Sequence, residues 1–162
     1  MAWTPETRYM EEALALAQKA YDLGEVPVGA VVVHKPTDRI IGTGYNCRET
    51  DKSPLAHAEL LAIQEACRTL GGWRLVDSVL YVTLEPCPMC AGAVINARLD
   101  QLVYGATDAK GGAVHSVEHM FDLPYNWAPE VYGGVLEDAC SQMMRDFFRA
   151  LREKKQKPSF HA

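Results

Sequence analysis

Three metal donors divided between two places in the chain constrain its folding more than any other feature. They are the imidazole of His57, in Ala56-His57-Ala58-Glu59, and the thiols of Cys87 and Cys90, in Pro86-Cys87-Pro88-Met89-Cys90. One imidazole and two thiolates form a borderline-to-soft set suited to Zn²⁺. If they share an ion, two separate chain segments must end at one point. Structural zinc sites are normally closed by four protein ligands, whereas three leave a position open to water and to chemistry. Glu59 stands beside the donors without being needed among them, where a proton shuttle for that water is wanted.

The local spacing agrees. Cys87 and Cys90 are three apart, so on the first turn of a helix both sulfurs lie on one side. Pro86 and Pro88 suit a helix start, and Ala91-Gly92-Ala93-Val94-Ile95 behind them is small and apolar enough to be buried. A helix N-terminus also favours the thiolate that a metal requires. His57 and Glu59 are two apart, about 200° around a helix, and cannot share a lateral face. The sequence therefore predicts that Ser53-Pro54 leads into a helix beginning near His57, with the metal beyond its N-terminal end.

In chain order, Thr4-Pro5-Glu6 supplies an N-cap, a proline for the first helical position and an early acid. Met10, Ala13, Leu14, Ala17 and Tyr21 then recur at helical spacing until Gly24 stops the helix. Val26 to His34 reads as a buried strand, Lys35 to Arg39 as a turn, and Ile40 to Tyr45 as its antiparallel partner. The polar run Asn46 to Ser53 is a loop. The His57 helix carries Leu60, Ile63, Cys67 and Leu70 on one stripe and Ala58, Leu61, Ala62 and Ala66 on another, which predicts cover on two sides before Gly71-Gly72 ends it. Val79 to Thr83 reads as a central strand running into the cysteines, Gln101 to Gly105 as a fourth and Val131 to Val135 as a short fifth. Leu136, Ala139, Cys140, Met143, Phe147 and Ala150 form the inner face of a last helix. Strands that feed helices in this way carry ligand sites at their carboxyl ends, where the donors fall.

At 162 residues, with no linker or low-complexity tract, residues 1–162 are expected to form a single domain. No apolar run approaches ~20 residues, which excludes a membrane-spanning helix, and Met1 to Glu6 lacks a secretory pattern, so the expected location is cytoplasmic. Five cysteines, two of them claimed by the metal, leave Cys47, Cys67 and Cys140 as reduced thiols. The net charge of −5 argues against indiscriminate nucleic-acid binding, but its distribution is uneven. Residues 145–162 hold six basic residues (Arg145, Arg149, Arg152, Lys154, Lys155, Lys157) against two acidic ones. That helix is either a phosphate-contacting edge or a solvated end complementing its own dipole.

Beyond the metal motifs, the chain carries Glu25-Val26-Pro27-Val28-Gly29-Ala30, Gly44-Tyr45-Asn46, Tyr81-Val82-Thr83-Leu84-Glu85 ahead of the cysteines, Gly105-Ala106-Thr107-Asp108-Ala109-Lys110, and Phe147-Phe148-Arg149. With these it resembles the cytidine-deaminase-like superfamily and, within it, the bacterial tRNA-specific adenosine deaminases. The H-x-E…P-C-x-x-C pattern is the known signature of zinc nucleobase deaminases generally. The resemblance implies a three-layer α/β/α fold with a five-stranded mixed sheet, one Zn²⁺ with a bound water, a homodimer, and conversion of the wobble adenosine of a tRNA anticodon stem-loop to inosine. It further implies that Glu59 is catalytic, Asn46 binds the flipped base, the Ala58 N–H supports the developing oxygen and Val28 lines the base pocket. Asp108, Phe148 and Arg149 would contact the RNA. The family usually has a small glycine where this chain has His115.

Other readings remain open at this stage. Asn46 also reads as a loop-turn residue, Phe148 as core packing and Cys47 as a plain thiol. A deaminase of a free base or nucleotide would need only the zinc pocket. A closed, catalytically silent zinc module would need a fourth ligand from Cys47, His34, His115 or His119.

Overall fold

The computed structural model of the chain describes residues 2–156. Its elements are α1 (Thr7–Asp22), β1 (Gly29–His34), β2 (Arg39–Tyr45), α2 (Ala58–Leu70), β3 (Ser78–Leu84), α3 (Pro88–Ala97), β4 (Gln101–Ala106), β5 (Glu130–Tyr132) and α4 (Glu137–Gln156), with a 3₁₀ turn at Met120–Asp122. The five strands form one mixed sheet in the order β2-β1-β3-β4-β5. β1 runs antiparallel to both β2 and β3, while β3, β4 and β5 are parallel.

The two-residue period of the strands sorts the core into two layers. Ala30, Val32, Leu80, Val82, Leu102 and Tyr104 pack with Ala58, Ala62 and Ala66 of α2 and Val94 and Ala97 of α3. Their neighbours Val31, Val33, Val79, Tyr81 and Val103 pack with Tyr9, Met10 and Ala13 of α1 and Cys140 of α4. The result is the expected three-layer α/β/α arrangement. A one-residue slip of β3 would exchange the two sets, so burial on both faces fixes the register.

α2 lies unusually low on the sheet. A Cβ at Gly42 would collide with the Ala62 carbonyl oxygen, and one at Gly44 with that of Ala58. Glycine on the strand and alanine on the helix permit this backbone approach. It also sets the height of His57 and Glu59 above the ends of the strands.

Several expected boundaries move. α1 begins at Thr7 with Glu6 as its cap, not at Thr4-Pro5, because the leading segment is held by tertiary contacts. There the Glu6 N–H donates to the Tyr81 hydroxyl and Trp3 packs edge-on against Tyr132. Val26 to Val28 do not join β1: the Val28 N–H turns back to the Val26 carbonyl, and the Val28 carbonyl accepts the Asn46 N–H. α2 is covered on its sheet side through Ala58, Ala62, Ile63 and Ala66, but Leu70 is exposed, which limits the predicted two-sided cover. In α4 only Cys140 and Phe147 are buried, while Ala139 and Ala150 are exposed, so the inner face is narrower than the spacing predicted.

Candidate metal centre and substrate cleft

The two donor segments meet as the spacing required. His57 is the N-cap of α2 and Cys87 the N-cap of α3, with Pro88 at the first helical position. Both helices begin at the carboxyl ends of strands, so the donors converge at one edge of the sheet. The His57 Nδ1 lies 3.5 Å from Cys90 Sγ and 3.7 Å from Cys87 Sγ. With Zn–S near 2.3 Å and Zn–N of 2.0–2.1 Å, a tetrahedral ion would hold N and S about 3.5 Å apart, so the set fits zinc. Among the described residues these three are the only group of donors close enough to hold a metal. No fourth ligand comes from Cys47, His34, His115 or His119. His115 Nδ1 instead pairs with the Tyr104 hydroxyl at 2.7 Å, and Cys47 Sγ with the Tyr45 carbonyl.

Electrostatics distinguish the groups. The hydrogen bond from Cys90, aided by His57, holds the Cys87 thiol down to about 4 despite its burial. Cys90, facing the Cys87 sulfur and buried near Glu59, is pushed up instead. Glu59 is 4% exposed in the first turn of α2, and burial raises its pKa. A carboxyl shifted in that direction is suited to taking and returning a proton near neutral pH.

A cleft of about 830 Å³ opens above the donors. His57, Ala58, Glu59 and Cys87 lie in its floor together with Val28 and Asn46. Ala58, the first residue of α2, offers one of the first-turn N–H groups for which a helix has no acceptor. Asp108, Phe148 and Arg149 stand in the walls, so the site residues that the resemblance implied, all but the buried Cys90, line this one cavity. Phe148 is 39% exposed, and its neighbour Phe147 takes the packing role, edge-on to Tyr21 at 5.6 Å. Asn46 fills the loop-turn role: Nδ2 donates to the Val26 carbonyl and Oδ1 accepts the Arg48 N–H, bonds that do not use its second amide hydrogen. Arg149 pairs with Asp146 at 2.6 Å on the exposed face of α4.

The wall also contains residues that the spacing did not single out: Val26, Arg48, Leu84, Glu85, Lys110 and Met144, together with Arg145 and Arg152 of the basic helix. Exposed Arg48, Lys110, Arg145, Arg149 and Arg152 thus give the rim a positive ring, although the chain as a whole is acidic. Lys157 lies outside the described residues. Glu85 is 2% exposed, and its carboxylate accepts the N–H groups of Asp108, Val114, His115 and Ser116 as well as the Ser116 hydroxyl. An acid directly after a strand that is apolar but for Ser78 and Thr83 was the one sequence signal that could have marked it.

Comparison with known proteins agrees with this arrangement. The model of the MafB19-like deaminases matches residues 5–152. A tRNA-specific adenosine deaminase of Bacillus subtilis (strain 168) is 49% identical over 153 residues, covering 94% of each chain. One from Haemophilus influenzae is 46% identical over 151 residues, covering 93% of this chain and 87% of that one. A solved structure from work on A-to-I editing by tRNA:A34 deaminases at the wobble position superposes with a TM-score of 0.82 at 44% identity, covering 85% of this chain and 99% of its own. With the same fold and likeness along nearly its whole length, the chain belongs to the tRNA-specific adenosine deaminase family.

Proposed function

We propose that the protein deaminates the wobble adenosine of a tRNA anticodon stem-loop to inosine, releasing ammonia. The observation that carries the reading is the pairing of a three-donor metal group in the cleft floor with a basic rim formed by Arg48, Lys110, Arg145, Arg149 and Arg152. A free base would use the floor alone, whereas an anticodon loop brings phosphates to the rim.

His57, Cys87 and Cys90 would hold one zinc ion, which supplies a Lewis acid that makes water nucleophilic near neutral pH. The reacting base is an unpaired nucleotide turned out of its stack to reach the floor. There Val28 packs against it and the remaining Asn46 amide hydrogen faces it. Glu59 takes a proton from the attacking water and gives it to N1 of adenine, and hydroxide adds at C6. The Ala58 N–H steadies the oxygen that develops there. Glu59 then takes the proton of the new C6 hydroxyl as the carbonyl forms and passes it to the departing amino nitrogen, which leaves as ammonia. Asp108 contacts the sugar–phosphate beside the target, while Phe148 and Arg149 shape and hold the loop.

A side-by-side assay of an anticodon stem-loop, free adenosine, cytidine and guanine tests the reading. Turnover of the stem-loop above all three free compounds supports it; preference for a free base reverses it. We also propose a cytoplasmic homodimer, consistent with exposed Leu55, Leu123 and Tyr125. Elution at one chain mass in gel filtration would contradict the dimer. Among the described residues no helix is long and apolar enough to cross a membrane.

A further inference from the structure

The cleft has two loop walls, and each is held by a buried carboxylate that is not one of the metal donors. Behind loop 46–53 is Glu25, 2% exposed, whose two oxygens accept the N–H groups of Glu49 at 3.1 Å and Thr50 at 2.7 Å. Behind loop 107–116 is Glu85, with four backbone N–H groups and the Ser116 hydroxyl. The second loop is wrapped so closely that a Cβ on Gly112 would overlap the Glu85 carboxylate. Each loop delivers one basic residue and one polar residue to the cleft: Arg48 with Asn46, and Lys110 with Asp108. Each polar residue then holds its basic neighbour's backbone, since Asn46 Oδ1 accepts the Arg48 N–H and Asp108 Oδ1 accepts the Lys110 N–H.

We propose that Glu25 and Glu85 are paired positioning residues that set the two walls of the RNA cleft. A loop cannot satisfy its own backbone donors when it crosses a surface without pairing to a strand. A buried carboxylate collects several of them at one point and fixes the loop with hydrogen bonds stronger than neutral ones. The acids act through the loops that carry Arg48 and Lys110, their carboxylates being committed to backbone N–H groups. Negative charge at the centre of each loop also balances the basic side chain it presents, so the rim remains positive only towards solvent.

This inference rests on the RNA substrate proposed above. Wild-type turnover of the stem-loop tests that reading first and independently. Glu25→Gln and Glu85→Gln are then compared by stem-loop affinity, the slope of log affinity against log salt, kcat at saturating RNA, and zinc per chain. The expected result is weaker binding by about tenfold, a slope smaller by about 0.7 to 0.9 because one phosphate is no longer neutralised, kcat within about twofold and zinc near one per chain. The decisive measurement is a double-mutant cycle. In an Asn46→Ala/Arg48→Ala background Glu25→Gln should have no further effect on affinity, and in an Asp108→Ala/Lys110→Ala background Glu85→Gln should have none; the crossed combinations should add. Ser116→Ala removes the hydroxyl hydrogen bond to Glu85 and keeps the test available if Glu85→Gln does not fold, with a smaller loss of the same kind. Full additivity within a wall, an unchanged salt slope, or a fall in kcat accompanied by zinc loss would overturn the proposal.

Discussion

Replacing Glu85 by glutamine should cost the fold about 4 to 6 kcal/mol at neutral pH. Burial alone would raise the pKa of this acid, but the hydrogen bonds from His115, Ser116 and Asp108 reverse the effect and hold it at about 2 against an ordinary 4.5. A depression of about 2.5 units corresponds to roughly 3 kcal/mol favouring the charged form in the folded protein. Glutamine keeps the shape but turns an NH₂ group towards donors, leaving at least the Asp108 N–H without an acceptor at a further cost of about 1–3 kcal/mol. The pH dependence has a definite sign. Because the folded pKa lies below the unfolded one, the stabilisation is complete above about 4.5 and fades as pH falls from there towards 2. Urea unfolding of wild type and Glu85→Gln at matched zinc, from pH 3 to 8, should give a constant difference above pH 5 that shrinks below 4.5. Acid release of the metal affects both proteins and cancels in the difference. A gap under about 1 kcal/mol at pH 7, or one that does not change with pH, would refute the reasoning.

Other perturbations separate chemistry, binding and architecture. Glu59→Ala should abolish turnover of the stem-loop while zinc stays near one per chain by metal analysis; retained activity would remove Glu59 from its role as proton carrier. Neutralising Arg145, Arg149 and Arg152 together should flatten the salt dependence of stem-loop binding by about 0.7 to 0.9 for each phosphate they neutralise in the wild type, with kcat at saturation near normal. Gly44→Ala should force α2 off the sheet against the Ala58 carbonyl, costing about 1–3 kcal/mol in thermal or urea unfolding and lowering kcat through displaced His57 and Glu59.

The site was legible in the sequence wherever its chemistry depends on short spacing. Cys87 and Cys90 are three apart behind Pro86 and Pro88, and this alone placed them at a helix start, as they are found. The two-apart spacing of His57 and Glu59 ruled out a shared lateral face and put the metal beyond the end of α2, where the donors meet. The near-continuous apolar runs marked β1, β3 and β4 as buried strands, and the two-residue period of a strand sorts their side chains between the two faces. What periodicity misjudged were segments governed by distant contacts. Val26 to Val28 have strand-like residues, yet they bend away from β1 to line the cleft, because the Val28 carbonyl takes the N–H of Asn46. Ala139 and Ala150 have helical spacing with the core of α4, yet both are exposed, since alanine carries too little apolar area to compel burial.

The cleft walls were hidden for a different reason. A side chain that serves a metal must be of a donor type, so its identity advertises its role. Glu25 and Glu85 serve backbone N–H groups, which every residue except proline possesses, and so nothing in residues 47–50 or 108–116 signals a partner. His115 shows the same limit from the other side. The loop uses its backbone N–H for Glu85 and sends its ring to the Tyr104 hydroxyl, so this metal-donor type serves no metal. Loops held this way can change side chains while keeping their course, provided that the buried acid and Gly112 remain. The donor set therefore serves the reaction, while Glu25 and Glu85 hold the course of the loops that carry Asn46, Arg48, Asp108 and Lys110.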